Sequence, residues 1–133
     1  MQSPGRILIL DDERRWRDAL CSMLQSGGFQ ADATDTVSQA WELLNENVYH
    51  LVVLDLSLLS GDGHNADGML FLSELHERGY LRAIKVIILS AYCTMEYMRK
   101  AFKQYRVEDV LSKDEFFGDS SEFVERVRQI LAR

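Results

Sequence analysis

Residues 7–12 read Ile7-Leu8-Ile9-Leu10-Asp11-Asp12, four consecutive apolar residues that end at two aspartates. A short, continuous apolar run is typical of a strand that is buried on both faces, as in a parallel sheet covered by helices. Two further runs of the same kind lie at residues 51–54 and 86–89. The three runs therefore predict the central strands of one sheet.

Helical stretches separate the apolar runs and divide the chain into five β–α units. Apolar residues at helical spacing from Trp16 to Leu24 precede Gly27-Gly28, which predicts the end of a first helix. Weaker strands are predicted at residues 29–33, near a sheet edge, and at residues 107–111. This alternation predicts an α/β fold, a single doubly wound domain with a five-stranded parallel sheet and five helices.

Composition restricts the functions open to the chain. Its 133 residues suit one domain, and its net charge of −6 disfavours direct nucleic-acid binding, which needs clustered Lys and Arg. The basic run Arg14-Arg15-Trp16-Arg17 is best explained as the solvated face of a helix, with a partner-binding patch as the alternative. Cys21 and Cys93 match no metal or redox motif.

With no signal peptide and no membrane-spanning segment in the sequence, we expect a cytoplasmic protein without membrane contacts.

Polar residues stand at the carboxyl ends of the predicted strands. Asp11 and Asp12 follow the first strand, Asp55 follows the second central strand, Ser90 follows the third, and Lys113 follows the short fifth strand. In a parallel sheet these ends share one edge, where ligands of open α/β folds bind. Clustered carboxylates repel one another unless a divalent cation and a lysine neutralise them, and an all-oxygen ligand set favours Mg²⁺. The pattern predicts a Mg²⁺ site with room for a phosphoryl group.

Each of these residues also has an ordinary structural explanation. An aspartate at a strand end is often a turn former or a helix cap, which for Asp11 or Asp12 taken alone is the more common case. Ser90 or Lys113 taken alone carries no functional signal. The joint position of all five at one edge of the predicted sheet is what favours a functional site.

Four segments resemble the signature segments of response regulator receiver domains in two-component signalling. They are Ile7–Glu13, Leu51–Leu56, Val86–Ala91 and Leu111–Lys113. The resemblance covers about residues 5–132 and implies a flavodoxin-like fold with strand order 2-1-3-4-5. We therefore expect residues 1–133 to form one receiver domain, with no output domain in this chain.

The resemblance also implies roles for the residues at the sheet edge. Asp55 is the expected phosphoacceptor and, with Asp11, Asp12 and the backbone carbonyl of Ser57, the expected Mg²⁺ site. Ser90 and Lys113 are expected to bind the phosphoryl oxygens.

The same resemblance implies partners and a mode of action. The expected phosphoryl donor is a phosphohistidine on a sensor histidine kinase or a histidine phosphotransfer protein. The domain would assist its own phosphorylation and dephosphorylation as a signalling module, without being an enzyme in the usual sense. Phosphorylation would alter the face built from helix 4, strand 5 and helix 5, through which homodimers are common in the family.

Three positions depart from the usual receiver pattern. Val110 stands where an aromatic switch residue is usual, and Asp114 stands where a proline usually follows the lysine. Since a cis bond before a non-proline residue costs about 3–4 kcal/mol, we expect a trans or visibly strained Lys113–Asp114 peptide. The loop at residues 58–68 is several residues longer than usual.

Three rival functions compete with the receiver interpretation. Phosphatases with an aspartate nucleophile need a second Asp where Ser57 stands. A flavin-binding flavodoxin would place its flavin phosphate after the first strand, where Asp11-Asp12-Glu13 would repel it. A degenerate receiver that acts only as a protein-interaction module remains the alternative, because Val110 and the Lys113–Asp114 junction are unusual.

Overall fold

The computed structural model describes residues 5–56, 67–91, 95–113 and 120–133 of the chain. Strands and helices alternate along these ranges. In chain order they are β1 (Arg6–Leu10), α1 (Arg14–Ser26), β2 (Gln30–Thr34), α2 (Val37–Glu46), β3 (Leu51–Leu54), α3 (Asp67–Glu77), a short 3-10 helix (Tyr80–Arg82), β4 (Lys85–Ser90), α4 (Met95–Gln104), β5 (Asp109–Ser112) and α5 (Ser120–Ala132).

The five strands form one parallel sheet in the order β2-β1-β3-β4-β5. The predicted fold class, strand order and number of helices are therefore confirmed. The three most apolar strands occupy the middle of the sheet, and β2 lies at one edge, as the sequence predicted.

Strand β5 begins two residues later than predicted. Val107 lies outside the strand but is buried in the core, which explains why its apolar character suggested a strand residue. Arg106, just before it, has a positive φ of 54° and turns the chain from α4 toward the sheet. Backbone pairing begins with the amide of Glu108, which donates to the carbonyl oxygen of Val86 at 2.8 Å.

The central strands are buried on both faces, so their side chains alternate between two apolar layers. Ile7 and Ile9 pack with residues of α1 and α5, whereas Leu8 and Leu10 pack with residues of α2, α3 and α4. Burying both faces removes the polar alternation expected of a half-exposed strand. This double burial accounts for the continuous apolar runs in the sequence.

The first helix ends at the predicted glycine pair. The amide of Phe29 donates to the carbonyl oxygen of Leu24, and the amide of Gly28 donates to that of Gln25, both at 3.0 Å. This pair of bonds is the Schellman arrangement, and Gly28 supplies its left-handed residue with φ of 94°. No helix within the described ranges combines the length and the apolar composition needed to cross a bilayer.

Helix α3 begins in close contact with the end of β3. A Cβ atom at Gly68 would lie 2.6 Å from the Cα of Leu56 and 2.7 Å from the carbonyl oxygen of Asp55. These neighbours are backbone atoms, which cannot rotate away as a side chain can. Only glycine therefore allows α3 to pack this closely behind residue 55.

Replacing Gly68 with alanine is expected to lower the free energy of unfolding by about 1–3 kcal/mol, because the added methyl group overpacks a backbone contact. This loss should exceed the gain of up to about 1 kcal/mol from the higher helix propensity of alanine. Urea denaturation of both proteins measures the difference. An unchanged or increased free energy of unfolding would show that the start of α3 can move away from β3 without destabilising the protein.

Candidate site at the carboxyl edge of the sheet

Backbone hydrogen bonds extend the sheet ladder to the predicted site residues. The amide of Asp11 donates to the carbonyl oxygen of Thr34 at 3.1 Å, and the amide of Asp55 donates to that of Leu10 at 3.0 Å. At the other side of the sheet the amide of Lys113 donates to the carbonyl oxygen of Ser90, also at 3.0 Å. The sheet register thus sets the positions of these side chains.

The side chains of Asp11, Asp55 and Lys113 meet in one buried pocket. Lys113 Nζ lies 2.8 Å from Asp11 Oδ2 and 3.1 Å from Asp55 Oδ2. All three residues are buried, although they lie as much as 102 positions apart in sequence. Ser90, also buried, ends β4 opposite Ser112 of β5.

Four carboxylates at this edge are close enough to share one cation. Each of Asp11, Asp12, Glu13 and Asp55 offers an oxygen, and these oxygens lie within 4.8 Å of one another. An all-oxygen ligand set suits a hard divalent ion such as Mg²⁺, which relieves repulsion among carboxylates. The residues present therefore fit the cation that the sequence predicted.

Asp11 uses its two carboxylate oxygens differently. Oδ1 accepts a hydrogen bond from the amide of Glu13 at 2.9 Å, which supports the start of α1, whereas Oδ2 contacts Lys113. Arg17 donates from its guanidinium to the backbone oxygen of Asp11 at 2.9 Å. Asp11 thus supports the helix start with one oxygen and contacts Lys113 with the other, and its role as a Mg²⁺ ligand stays a prediction.

Glu13 is a pocket residue to which the sequence analysis gave no role. Its Oε1 lies 3.3 Å from Lys113 Nζ. It directly precedes α1 and has extended backbone angles, φ −95° and ψ 115°. Its place after the aspartate pair marked it as part of the motif, but the direction of its side chain depends on this local backbone conformation.

Trp16 forms one wall of the pocket. The centre of its ring lies 5.2 Å from Lys113 Nζ, a cation–π distance. Its neighbours Arg14 and Arg15 are exposed, as expected for the solvated face of a helix, while Trp16 itself is buried. The basic run therefore contains one core residue that also touches the site.

Burial raises the pKa of Asp11 to about 6. The negative charge of Asp55 acts in the same direction, while hydrogen bonds from Lys113 and the Glu13 amide oppose the shift. Burial alone would lower the pKa of Lys113, but its contacts with Asp11 and Asp55 outweigh burial and raise that pKa. Lys113 is therefore a permanent cation in this pocket.

Several predicted features fall outside the described residues. These are Ser57 with its backbone carbonyl, nearly all of the long loop, and Asp114 with the peptide bond that precedes it. Val110 is described, and it is partly buried against the core layer of α2, α3 and α4.

The sequence profile of the response regulator receiver domain family matches residues 7–128. The chain therefore belongs to the response regulator receiver domain family. This family membership confirms the resemblance seen in the sequence, and the roles of the individual site residues remain predictions.

Curated relatives of the chain are longer response regulators. It is 29% identical over 92 residues to response regulator Rre1 of Synechocystis, which covers 68% of this chain and 38% of Rre1. It is 33% identical over 86 residues to the phosphate regulon regulatory protein PhoB of Escherichia coli, covering 65% of this chain and 35% of PhoB. The chain thus matches less than two fifths of the length of each of these relatives.

Solved receiver domains share the fold. A CheY-like receiver domain protein of Methanospirillum hungatei superposes with a TM-score of 0.79 at 18% identity, covering 96% of this chain and 93% of that one. The receiver domain of Francisella response regulator 1452 gives a TM-score of 0.77 at 24% identity, covering 96% and 95%.

Replacing Asp11 with asparagine is expected to increase stability near neutral pH when no divalent cation is present. The pKa of Asp11 rises from 3.8 to about 6 on folding, so the folded state favours the protonated form. The stability that this group contributes is therefore complete below about pH 4 and is lost as the pH rises through about 6. Asparagine removes the buried charge but keeps only one acceptor oxygen, so the gain is smaller than the roughly 3 kcal/mol that corresponds to the full pKa shift.

Urea denaturation of both proteins between about pH 4 and pH 7.5 measures this effect. The difference between them should shrink toward the acidic end. A variant that is less stable by the same amount at every pH would contradict the expected cost of the buried charge.

Proposed function

We propose that this protein is the phosphoacceptor receiver of a two-component phosphorelay, which takes a phosphoryl group from a phosphohistidine onto Asp55. The observation that carries this proposal is the contact of the Asp55 carboxylate with Lys113, inside a cluster of carboxylates suited to one cation. The donor would be a sensor histidine kinase or a histidine phosphotransfer protein. The domain would assist its own phosphorylation and dephosphorylation and would not act on a separate substrate as an enzyme does.

The residues of the pocket suit this transfer. A carboxylate oxygen of Asp55 attacks phosphorus, a new P–O bond forms, and the P–N bond breaks with its electron pair left on the imidazole. Lys113 supplies positive charge to the phosphoryl oxygens, and Ser90 donates a hydrogen bond to one of them. Asp11, Asp12, Asp55 and the Ser57 carbonyl would hold Mg²⁺, which would neutralise negative charge on the transferring group.

The signal would be a shift in population between two conformers of the face formed by α4, β5 and α5. The same face would support a homodimer, and the output would be a regulated partner or an output domain. The net charge of −6 supports a role through proteins and not through direct contact with nucleic acid.

One observation favours a second candidate, a degenerate receiver that binds partners without phosphorylation. Val110 occupies the position of the usual switch aromatic and packs against the core. A β-branched side chain has few rotamers and no ring to move between two positions. The intact carboxylate–lysine pocket favours the phosphoacceptor over this alternative.

Incubation with acetyl phosphate and Mg²⁺ is expected to add one phosphoryl group to the chain, seen by intact-mass spectrometry. Chelation of Mg²⁺ or the change Asp55→Asn should abolish the gain, because the first removes the neutralising cation and the second removes the nucleophile. Asp18→Asn is a matched control, since this exposed aspartate of α1 lies outside the pocket. It should be phosphorylated like the wild type.

The outcomes separate the two candidates. A mass gain that persists in Asp55→Asn would place the acceptor elsewhere. No gain with acetyl phosphate or with any phosphohistidine donor would favour the degenerate receiver.

A further inference from the structure

Three carboxylates surround the Lys113 ammonium group. An ammonium carries three N–H groups. Among the described residues, Lys113 Nζ donates to Asp55 Oδ2 at 3.1 Å and to Glu13 Oε1 at 3.3 Å, and it forms an ion pair with Asp11 Oδ2 at 2.8 Å. The ring of Trp16 lies against the same ammonium group. A phosphoryl oxygen that binds Lys113 therefore competes with these carboxylates for the ammonium group.

The three carboxylates differ in how easily they can be displaced. The side chains of Asp11 and Asp55 are 3% and 1% exposed, and Asp11 is also held through the amide of Glu13. The Glu13 side chain is 47% exposed and makes the longest of the three contacts. An exposed carboxylate regains hydration when it leaves, so Glu13 leaves at the lowest free-energy cost.

We propose that Glu13 is a positioning residue that accepts a hydrogen bond from Lys113 in the resting protein and yields this donor to an oxygen of the arriving phosphoryl group. This inference rests on the proposed function, because it assigns the place of Glu13 in the same transfer. Glu13 keeps Lys113 directed into the pocket, and it also competes with the phosphoryl group for the ammonium.

The competition predicts the direction of a mutational effect. Glu13→Gln keeps the length and an acceptor oxygen but removes the charge, so the contact with Lys113 weakens and repulsion of an anion falls. A phosphoryl mimic should then bind more tightly by up to about fivefold, the upper limit expected when one exposed ion pair no longer has to be broken. Glu13→Asp keeps the charge but shortens the reach toward Lys113 by one methylene.

Trp16 provides a readout that is independent of phosphorylation activity. The chain has two tryptophans, and Trp41 lies on α2, where the guanidinium of Arg78 stacks 4.0 Å from its ring centre. In a Trp41→Phe background the emission therefore comes from Trp16 alone. Movement of the Lys113 ammonium away from its ring changes the emission of Trp16.

The experiment titrates beryllium trifluoride, a non-covalent phosphoryl mimic, at saturating Mg²⁺ and follows Trp16 emission. Saturating Mg²⁺ removes any effect of Glu13 on metal affinity. Variants Glu13→Gln and Glu13→Asp are compared with the parent, and Asp18→Asn controls for loss of one negative charge on α1 without contact to Lys113. Urea denaturation confirms that each variant is folded.

The proposal is supported if both Glu13 variants bind beryllium trifluoride more tightly than the parent and Asp18→Asn binds it with the affinity of the parent. Equal affinity in the parent and Glu13→Gln, or weaker binding in Glu13→Gln, overturns it while the proposed function stands. Tighter binding in Asp18→Asn by the same factor also overturns it, because net charge alone would then explain the effect. Asp55→Asn serves as the non-binding reference in the same titration. If Trp16 emission of the parent is as unchanged as that of Asp55→Asn, the proposed function and this inference are overturned together.

Discussion

The buried ammonium group of Lys113 is the constraint on which the site depends. A buried charge is unfavourable unless it is paired, and three carboxylates placed this close would repel one another without a cation. The ammonium of Lys113 pairs with the carboxylate of Asp11 at 2.8 Å and with that of Asp55 at 3.1 Å, which reduces both the cost of its burial and the repulsion between the carboxylates. The resting pocket still has more carboxylates than ammonium groups, and an arriving cation would offset the excess negative charge.

The parallel sheet makes this balance possible by delivering separate segments to one edge. Backbone hydrogen bonds continue past the strand ends to Asp11, Asp55 and Lys113, so the register of the apolar core also sets the spacing of the charges. The close approach of α3 at Gly68 fixes the backbone behind Asp55. Core packing and site geometry are thus parts of one arrangement, and disturbing either should affect the other.

The start of α1 joins the fold to the chemistry of the pocket. One oxygen of Asp11 supports the helix start and the other contacts Lys113, while Glu13 and Trp16 reach the ammonium from the residues that begin the helix. These contacts depend on the direction in which each side chain leaves the turn. Glu13 and Trp16, to which the sequence analysis gave no role in the site, therefore belong to the same pocket as Asp11.

The fold was readable from the order of residues, because strands buried on both faces must be continuously apolar and strand ends in a parallel sheet must share one edge. That logic placed Asp11, Asp55, Ser90 and Lys113 at one edge of the sheet, and the structure has them there. The prediction started β5 two residues too early, because a buried residue next to a strand is as apolar as a buried residue within it. The contacts of Glu13 and Trp16 with Lys113 follow only from three-dimensional packing, because contacts across about a hundred residues depend on backbone angles and side-chain directions that periodicity does not encode.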